Sequence, residues 1–72
     1  MNVSEIIFEV REDETDGGFG ARALGHDIFT QADSLEELRE MVKDAVQCHF
    51  GERPDRPRVV RLHIVRDEMM TV

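Results

Sequence analysis

The feature that most constrains this chain is an amphipathic helix that opens at Ser34. The serine hydroxyl can accept a hydrogen bond from an amide of the first turn, and Glu37 has the spacing of a capping box. Gly51 is placed to take the left-handed conformation that ends a helix, just after Phe50. The sequence therefore predicts a helix from Leu35 to about Phe50 that lies across a sheet. At about 3.6 residues per turn, its apolar stripe contains Leu35, Leu38, Val42, Ala45, Val46 and His49.

Short segments on both sides of this helix have the pattern of strands. Residues 5–12 alternate apolar and polar side chains, and residues 13–18 hold the Asp16-Gly17-Gly18 turn signal of a hairpin. The alternation continues in residues 19–24, where Gly20 indicates either a bulge or close packing. Strands are also predicted for residues 28–32 and 59–66. The expected inward residues are Ile6, Phe8, Val10, Phe19, Ala21, Ala23, Val60, Leu62 and Ile64, and an apolar tail, Met69–Val72, can pair or pack.

These elements predict a single α+β domain that spans residues 1–72. The order is β-β-β-α-β, with a small, mainly antiparallel sheet and one helix packed on one of its faces. A chain of this size buries only about 60% of its unfolded surface, so small domains often gain stability by self-association. We therefore expect a homodimer or a higher homo-oligomer.

Composition limits the partners and the compartment. Sixteen acidic residues against nine basic ones give a formal charge of -7, which disfavours direct nucleic-acid binding and attracts a basic protein. The sequence has no apolar segment of membrane-spanning length and no basic-then-apolar leader. A single cysteine, Cys48, forms no internal disulfide and is expected to pack as a small apolar side chain. Cytoplasmic residence is the default expectation.

A hairpin that leads into FTQADSLEEL and then a helix resembles the N-terminal domain of HicB-type antitoxins. The matching residues are Gly25, Thr30, Gln31, Asp33, Leu35, Glu36 and Glu37, whereas Ala32, Ser34 and Leu38 stand where the family usually has Gly, Thr and Ala. The resemblance covers most of the chain. Because the motif is a turn followed by a helix cap, it indicates a fold more directly than an activity.

This resemblance implies a truncated ribonuclease-H-like fold, in which the last strand returns by a right-handed crossover to lie parallel beside the first. It also implies that the domain binds and neutralises a small basic ribonuclease toxin of the HicA type. HicB-type antitoxins usually continue into a second domain that binds DNA. Residues 1–72 hold only the HicB-like unit, so we expect no C-terminal DNA-binding domain.

The residue pattern does not predict an enzyme, a metal site or a cofactor. Four carboxylates are candidates for a metal site: Glu9, Glu37 or Glu40, and Asp67. Their positions are instead typical of solvent-facing or helix-capping residues. The three histidines, His26, His49 and His63, fall in a turn, near the helix end and on the last strand, without the spacing of a cluster.

The exposed charges of the strands are the predicted partner-binding residues. Arg61, His63 and Arg66 make a basic stripe on the last strand. Two alternatives to toxin binding stay open: a solitary oligomeric scaffold or ligand-binding domain without a toxin, and a metal-dependent hydrolase. The residues predicted to bind a partner are Glu9, Arg11, Arg22, Arg61 and His63.

Overall fold

A computed structural model of the chain describes residues 4–13 and 17–72. Within these residues the predicted α+β class and the order β-β-β-α-β are confirmed. The elements are β1 (Glu5–Glu12), β2 (Phe19–Ala23), β3 (Phe29–Ala32), α1 (Leu35–Phe50) and β4 (Val59–Val65). In the described part of the chain, no helix is long and apolar enough to cross a membrane.

The four strands form one mixed sheet in the order β3-β2-β1-β4. β1 pairs antiparallel with β2, and β2 pairs antiparallel with β3. β4 lies parallel to β1, with Phe8 opposite Leu62. A parallel pair needs a long connection, and the segment that contains β2, β3 and α1 supplies it. β4 is therefore an edge strand with a single neighbour.

The core lies between α1 and the face of the sheet that carries the even-numbered residues of β1. These side chains alternate with half-buried or exposed ones along the strand, as the sequence predicted. Thr30 of β3 is also buried. The buried apolar residues are Ile6, Phe8, Val10, Ala21, Ala23, Ile28, Leu38, Val42, Val46 and Phe50.

The start of α1 follows the predicted chemistry, whereas at its end Gly51 has the predicted positive φ but not the ψ of the left-handed helical region. The hydroxyl of Ser34 accepts a hydrogen bond from the backbone N–H of Glu37 at 3.1 Å. Gly51 has φ of +60° and ψ of −134°, and its N–H donates to the carbonyl of Gln47 at 2.8 Å. This backbone conformation is one that glycine adopts without a side-chain clash, so the helix ends at Phe50.

Four details of the prediction are corrected. β2 ends at Ala23 rather than Leu24, β3 begins at Phe29 rather than Ile28, and β4 ends at Val65 rather than Arg66. The predicted basic stripe also breaks, because the side chain of Arg66 contacts Glu12 beyond the end of β4, with 3.4 Å between Nε and Oε2.

The helix covers only part of the sheet. α1 packs mainly on β3 and β2, so β4 extends past the area that it shields. Val60 and Leu62 are consequently only half-buried, and Ile64, predicted to point inward, is 43% exposed. Residues 66–72 lie outside any helix or strand, and Met69 and Met70 are exposed.

The end of the helix also differs from the prediction. Phe50 is the last buried residue of α1, whereas His49 is exposed. Cys48 is exposed as well and does not pack as an apolar side chain. Positions 46 and 50 share the buried side, because four residues bring a helix back to nearly the same direction.

Close packing explains the glycine of β2. A Cβ at Gly20 would lie 3.4 Å from the ring carbon Cζ of Phe29, so the aromatic ring occupies the space above the backbone. The pairing through Gly20 continues without a bulge, to Arg11 on one side and Gln31 on the other. The predicted hairpin turn falls partly on residues 14–16, which lie outside the described residues.

Candidate functional site

The five residues predicted to bind a partner lie on the sheet face opposite α1. Glu9 of β1 is in register with Arg22 of β2 on one side and with His63 of β4 on the other. Arg11 and Arg61 lie on the same face, because side chains two residues apart on a strand point the same way. The structure thus brings all five onto one surface, which we call the open face.

Two ion pairs order the charges of the open face. Arg11 Nε lies 2.6 Å from Glu9 Oε1, and Arg61 Nε lies 2.6 Å from Glu5 Oε1. A second bond, of 3.3 Å, joins Arg61 Nη2 to Glu5 Oε2. The hydrogen bond from Arg61 to Glu5, together with the charge of that carboxylate, raises the pKa of Arg61. Both arginine side chains are 66% exposed, so solvent screens these pairs and leaves them weak.

Apolar side chains border the charges on this face. Phe29 is 60% exposed, Leu24 is 51% exposed, and Val59 is 41% exposed. Exposed aromatic and aliphatic side chains beside arginines are typical of surfaces that bind other proteins. Three arginines against Glu5 and Glu9 give the open face a small excess of positive charge. The face therefore differs from the chain as a whole, whose formal charge is -7.

A second surface lies where the end of β1 meets the start of α1. An open concavity of about 590 Å³ is lined there by four carboxylates and by Arg11. Because Arg66 also pairs with Glu12, four negative charges against two positive charges leave a local excess of two negative charges. We call this surface the acidic end; its carboxylates are Glu12, Asp13, Asp33 and Glu37.

Sequence reasoning missed the acidic end because its members come from three separate segments. Glu12 is the last residue of β1 and Asp13 follows it, Asp33 precedes the helix cap, and Glu37 lies in the first turn of α1. The pairing of Phe19 with both Glu12 and Ala32 brings these segments together. Predicting the acidic end would have required this strand register, which follows from the order of strands in the sheet.

Two of the three histidines meet, which the sequence did not predict. The rings of His26 and His49 are 6.2 Å apart, and both pack edge-on to Phe50, at 5.2 and 4.9 Å. His63 lies apart from them on the open face. Among the described residues, no group of three His, Cys, Asp or Glu side chains is placed to hold a metal ion. The pair therefore packs around the end of α1.

The carboxylates weighed for a metal site are also separated. Glu9 lies on the open face and is paired with Arg11. Glu37 and Glu40 belong to α1, on the other side of the sheet, where Glu40 lies 3.6 Å from Lys43. Asp67 follows the end of β4. The fold thus distributes these acids over different surfaces.

Relatives of this chain are known by sequence. It is 68% identical over 54 residues to a UPF0150 protein of Archaeoglobus fulgidus, a match that covers 72% of this chain and 79% of that protein. It is 46% identical over 68 residues to a UPF0150 protein of Thermotoga maritima, covering 94% of this chain and 93% of that protein. No protein-family model matches the chain, and no solved structure matches it significantly.

Proposed function

The chain belongs to the UPF0150 protein family, and we propose that it is a protein-binding domain of the HicB-like antitoxin type. In this proposal it binds a small basic ribonuclease toxin of the HicA type in the cytoplasm and neutralises it by contact. The observation that carries the proposal is the concentration of carboxylates at the acidic end. The resemblance of the helix-cap region to HicB-type antitoxins supports the choice of partner.

Charge decides which surface meets the toxin. A basic partner is attracted to the acidic end, where the four carboxylates outnumber Arg11 and Arg66 by two. The open face carries a small positive excess, so it is a weaker match for the same partner. Phe29 lines the concavity and is 60% exposed, which provides an apolar contact beside the charges. We therefore propose that the toxin docks at the acidic end and that the open face lies at the rim of that interface.

A pull-down of the tagged full chain from its source cell tests the partner. We expect a small basic protein to be recovered with it, and mass measurement of the intact complex to give the number of each chain. The recovered protein should cleave RNA alone and lose that activity when this chain is added. Recovery of this chain without any basic protein would instead support the oligomeric scaffold.

Paired charge variants test the docking surface. The double variant Glu12→Gln with Asp33→Asn removes two negative charges from the acidic end. The control, Glu40→Gln with Asp44→Asn, removes two from the exposed side of α1. The two are matched, because Glu12 and Glu40 each lose one surface ion pair, at 3.4 and 3.6 Å.

We expect the acidic-end variant to bind the recovered toxin about tenfold more weakly at low salt, and the control to bind as the parent does. Equal losses in the two variants would show that only the net charge matters. A large loss in Arg22→Glu, together with parental binding by the acidic-end variant, would place the toxin on the open face.

A further inference from the structure

β4 is an edge strand with little of the usual protection against pairing. It runs for seven residues, Val59–Val65, without proline or lysine, and its one arginine, Arg61, is paired with Glu5 of the neighbouring strand. Natural sheets protect long edges with such residues, with bulges or with a covering element, because a bare edge pairs with another strand. The other edge strand, β3, has only four residues and lies under α1. The sheet therefore has one edge that is open to a further strand.

The backbone of β4 shows which groups face outward. The N–H of Val59 donates to the carbonyl of Ser4 at 3.1 Å, so Val59 points its backbone groups toward β1. Because these groups alternate along a strand, those of Val60, Leu62 and Ile64 point to the free edge. The side chains of the same three residues lie on the helix side of the sheet, beyond the area covered by α1.

The sequence of β4 is nearly symmetric about its central residue. In the sequence VVRLHIV, residues at equal distances before and after Leu62 have similar chemistry. In an antiparallel pair of two β4 strands centred on Leu62, Leu62 lies opposite itself, and the one polar pair is Arg61 with His63. The remaining pairs are Val60 with Ile64 and Val59 with Val65.

Other antiparallel registers fit less well. Centring the pair on Arg61 sets two like charges opposite each other, and centring it on His63 sets Val60 against Arg66. Like charges directly opposite destabilise a sheet, whereas apolar cross-strand pairs stabilise it. The register centred on Leu62 is thus favoured by the side chains of the strand itself. Its one like-charge pair, Arg58 with Arg66, lies just outside β4, where Arg66 is already paired with Glu12.

The segment after β4 fits the same arrangement. In this register the tail passes the connector of the second copy, with Glu68 opposite Arg56 and Asp67 opposite Pro57. Within the described chain, neither acid and neither of Arg56 and Arg58 has a recorded ion pair. A concavity of about 300 Å³ lies there, between the end of α1 and the connector. Its lining includes Val46, Phe50, Arg56, Pro57 and Arg58.

We infer that two copies of this chain associate through antiparallel pairing of their β4 strands, centred on Leu62, into one eight-stranded sheet. The tail of each copy lies in the concavity of the other, with its acids beside the arginines and its methionines against the apolar wall. Met69, 97% exposed in the single chain, is covered in the pair. This interface involves no toxin and stands independently of the proposed function.

Sedimentation of the full chain and of two lysine variants tests the edge. The parent should sediment with twice the 8.3 kDa mass of one chain. Ile64→Lys places a charge opposite Val60 of the second copy, and since Ile64 is 43% exposed, the single chain tolerates it. We expect this variant to associate at least a hundredfold more weakly while keeping its circular dichroism spectrum. The matched control, Phe29→Lys on the β3 edge, should remain a dimer.

Disulfide trapping tests the register. In a Cys48→Ser background, Leu62→Cys places two thiols directly opposite each other, at a Cα separation of about 5.5 Å that lies within the range of disulfides. Oxidation should give a covalent dimer. Ile64→Cys is the control, because the two Ile64 positions are offset by about 13 Å along the strands and should not link.

Three results would overturn the inference. The first is a parent chain that stays monomeric at all concentrations, which would mean that the β4 edge does not pair with a second copy but is available to a strand of another protein. The second is dissociation by Phe29→Lys but not by Ile64→Lys. The third is trapping through Ile64→Cys in preference to Leu62→Cys, which would show a different register.

Discussion

Replacing Leu38 by alanine tests how α1 packs on the sheet. Leu38 is fully buried, with no exposed surface, and it belongs to the core cluster between helix and sheet. Truncating a buried leucine costs about 3 kcal/mol, from the lost transfer energy and the cavity left behind. A domain of this size has a total stability of about 4–11 kcal/mol. The variant should therefore melt about 12–24 °C below the parent, since each kcal/mol shifts Tm by about 4–8 °C.

The assay is thermal unfolding followed by circular dichroism, at one protein concentration because the proposed pairing of two copies would make Tm depend on concentration. Met41→Ala is the matched control, on the same helix but 42% exposed, and it should lower Tm by only a few degrees. Equal losses in the two variants would refute the orientation of α1, because that result requires both side chains to be similarly buried.

Two further predictions concern the backbone. Ser34→Ala removes the acceptor for the Glu37 N–H and should cost about 1 kcal/mol of stability, seen as a Tm lower by about 4–8 °C. Ser34→Asp keeps an acceptor and should retain most of that stability, so equal Tm values for the alanine and aspartate variants would contradict the cap. Gly18→Ala places a Cβ 2.6 Å from the carbonyl oxygen of Ala32, whereas Gly17→Ala meets nothing within 4 Å. Because both glycines have positive φ, only the clash distinguishes them, and denaturant unfolding should show Gly18→Ala to be the less stable by about 1–3 kcal/mol; equal stabilities would contradict the close approach.

The parts of the fold that local chemistry determines were predictable from the sequence. Ser34 and Gly51 set the ends of α1 because capping depends on a few neighbouring residues. The alternation in β1 gave its buried face, because a strand with one face in the core must place its apolar residues there. The residues of the open face were likewise recognisable as the outward parity of their strands.

Properties that depend on how the elements are placed could not be read from the sequence. The same alternation appears in β1 and β4, yet Val10 is fully buried and Ile64 is 43% exposed. The difference arises because α1 lies over β3 and β2 and stops short of the edge. The contact between His26 and His49 also depends on where α1 lies, because it requires the turn after β2 to lie beside the end of the helix.

The β4 edge and the acidic end are compatible as binding surfaces because they meet only at the end of β4, where Arg66 pairs with Glu12. The edge belongs to β4, whereas the acidic end is built from the end of β1, the residue before the helix cap and the first turn of α1. Antiparallel pairing centred on Leu62 reverses one copy relative to the other, so the two acidic ends lie at opposite ends of the joined sheet. Each remains open and distant from the other, which limits repulsion between them. A dimer therefore presents two separate docking surfaces, and a toxin complex with equal numbers of both chains follows from the two proposals together.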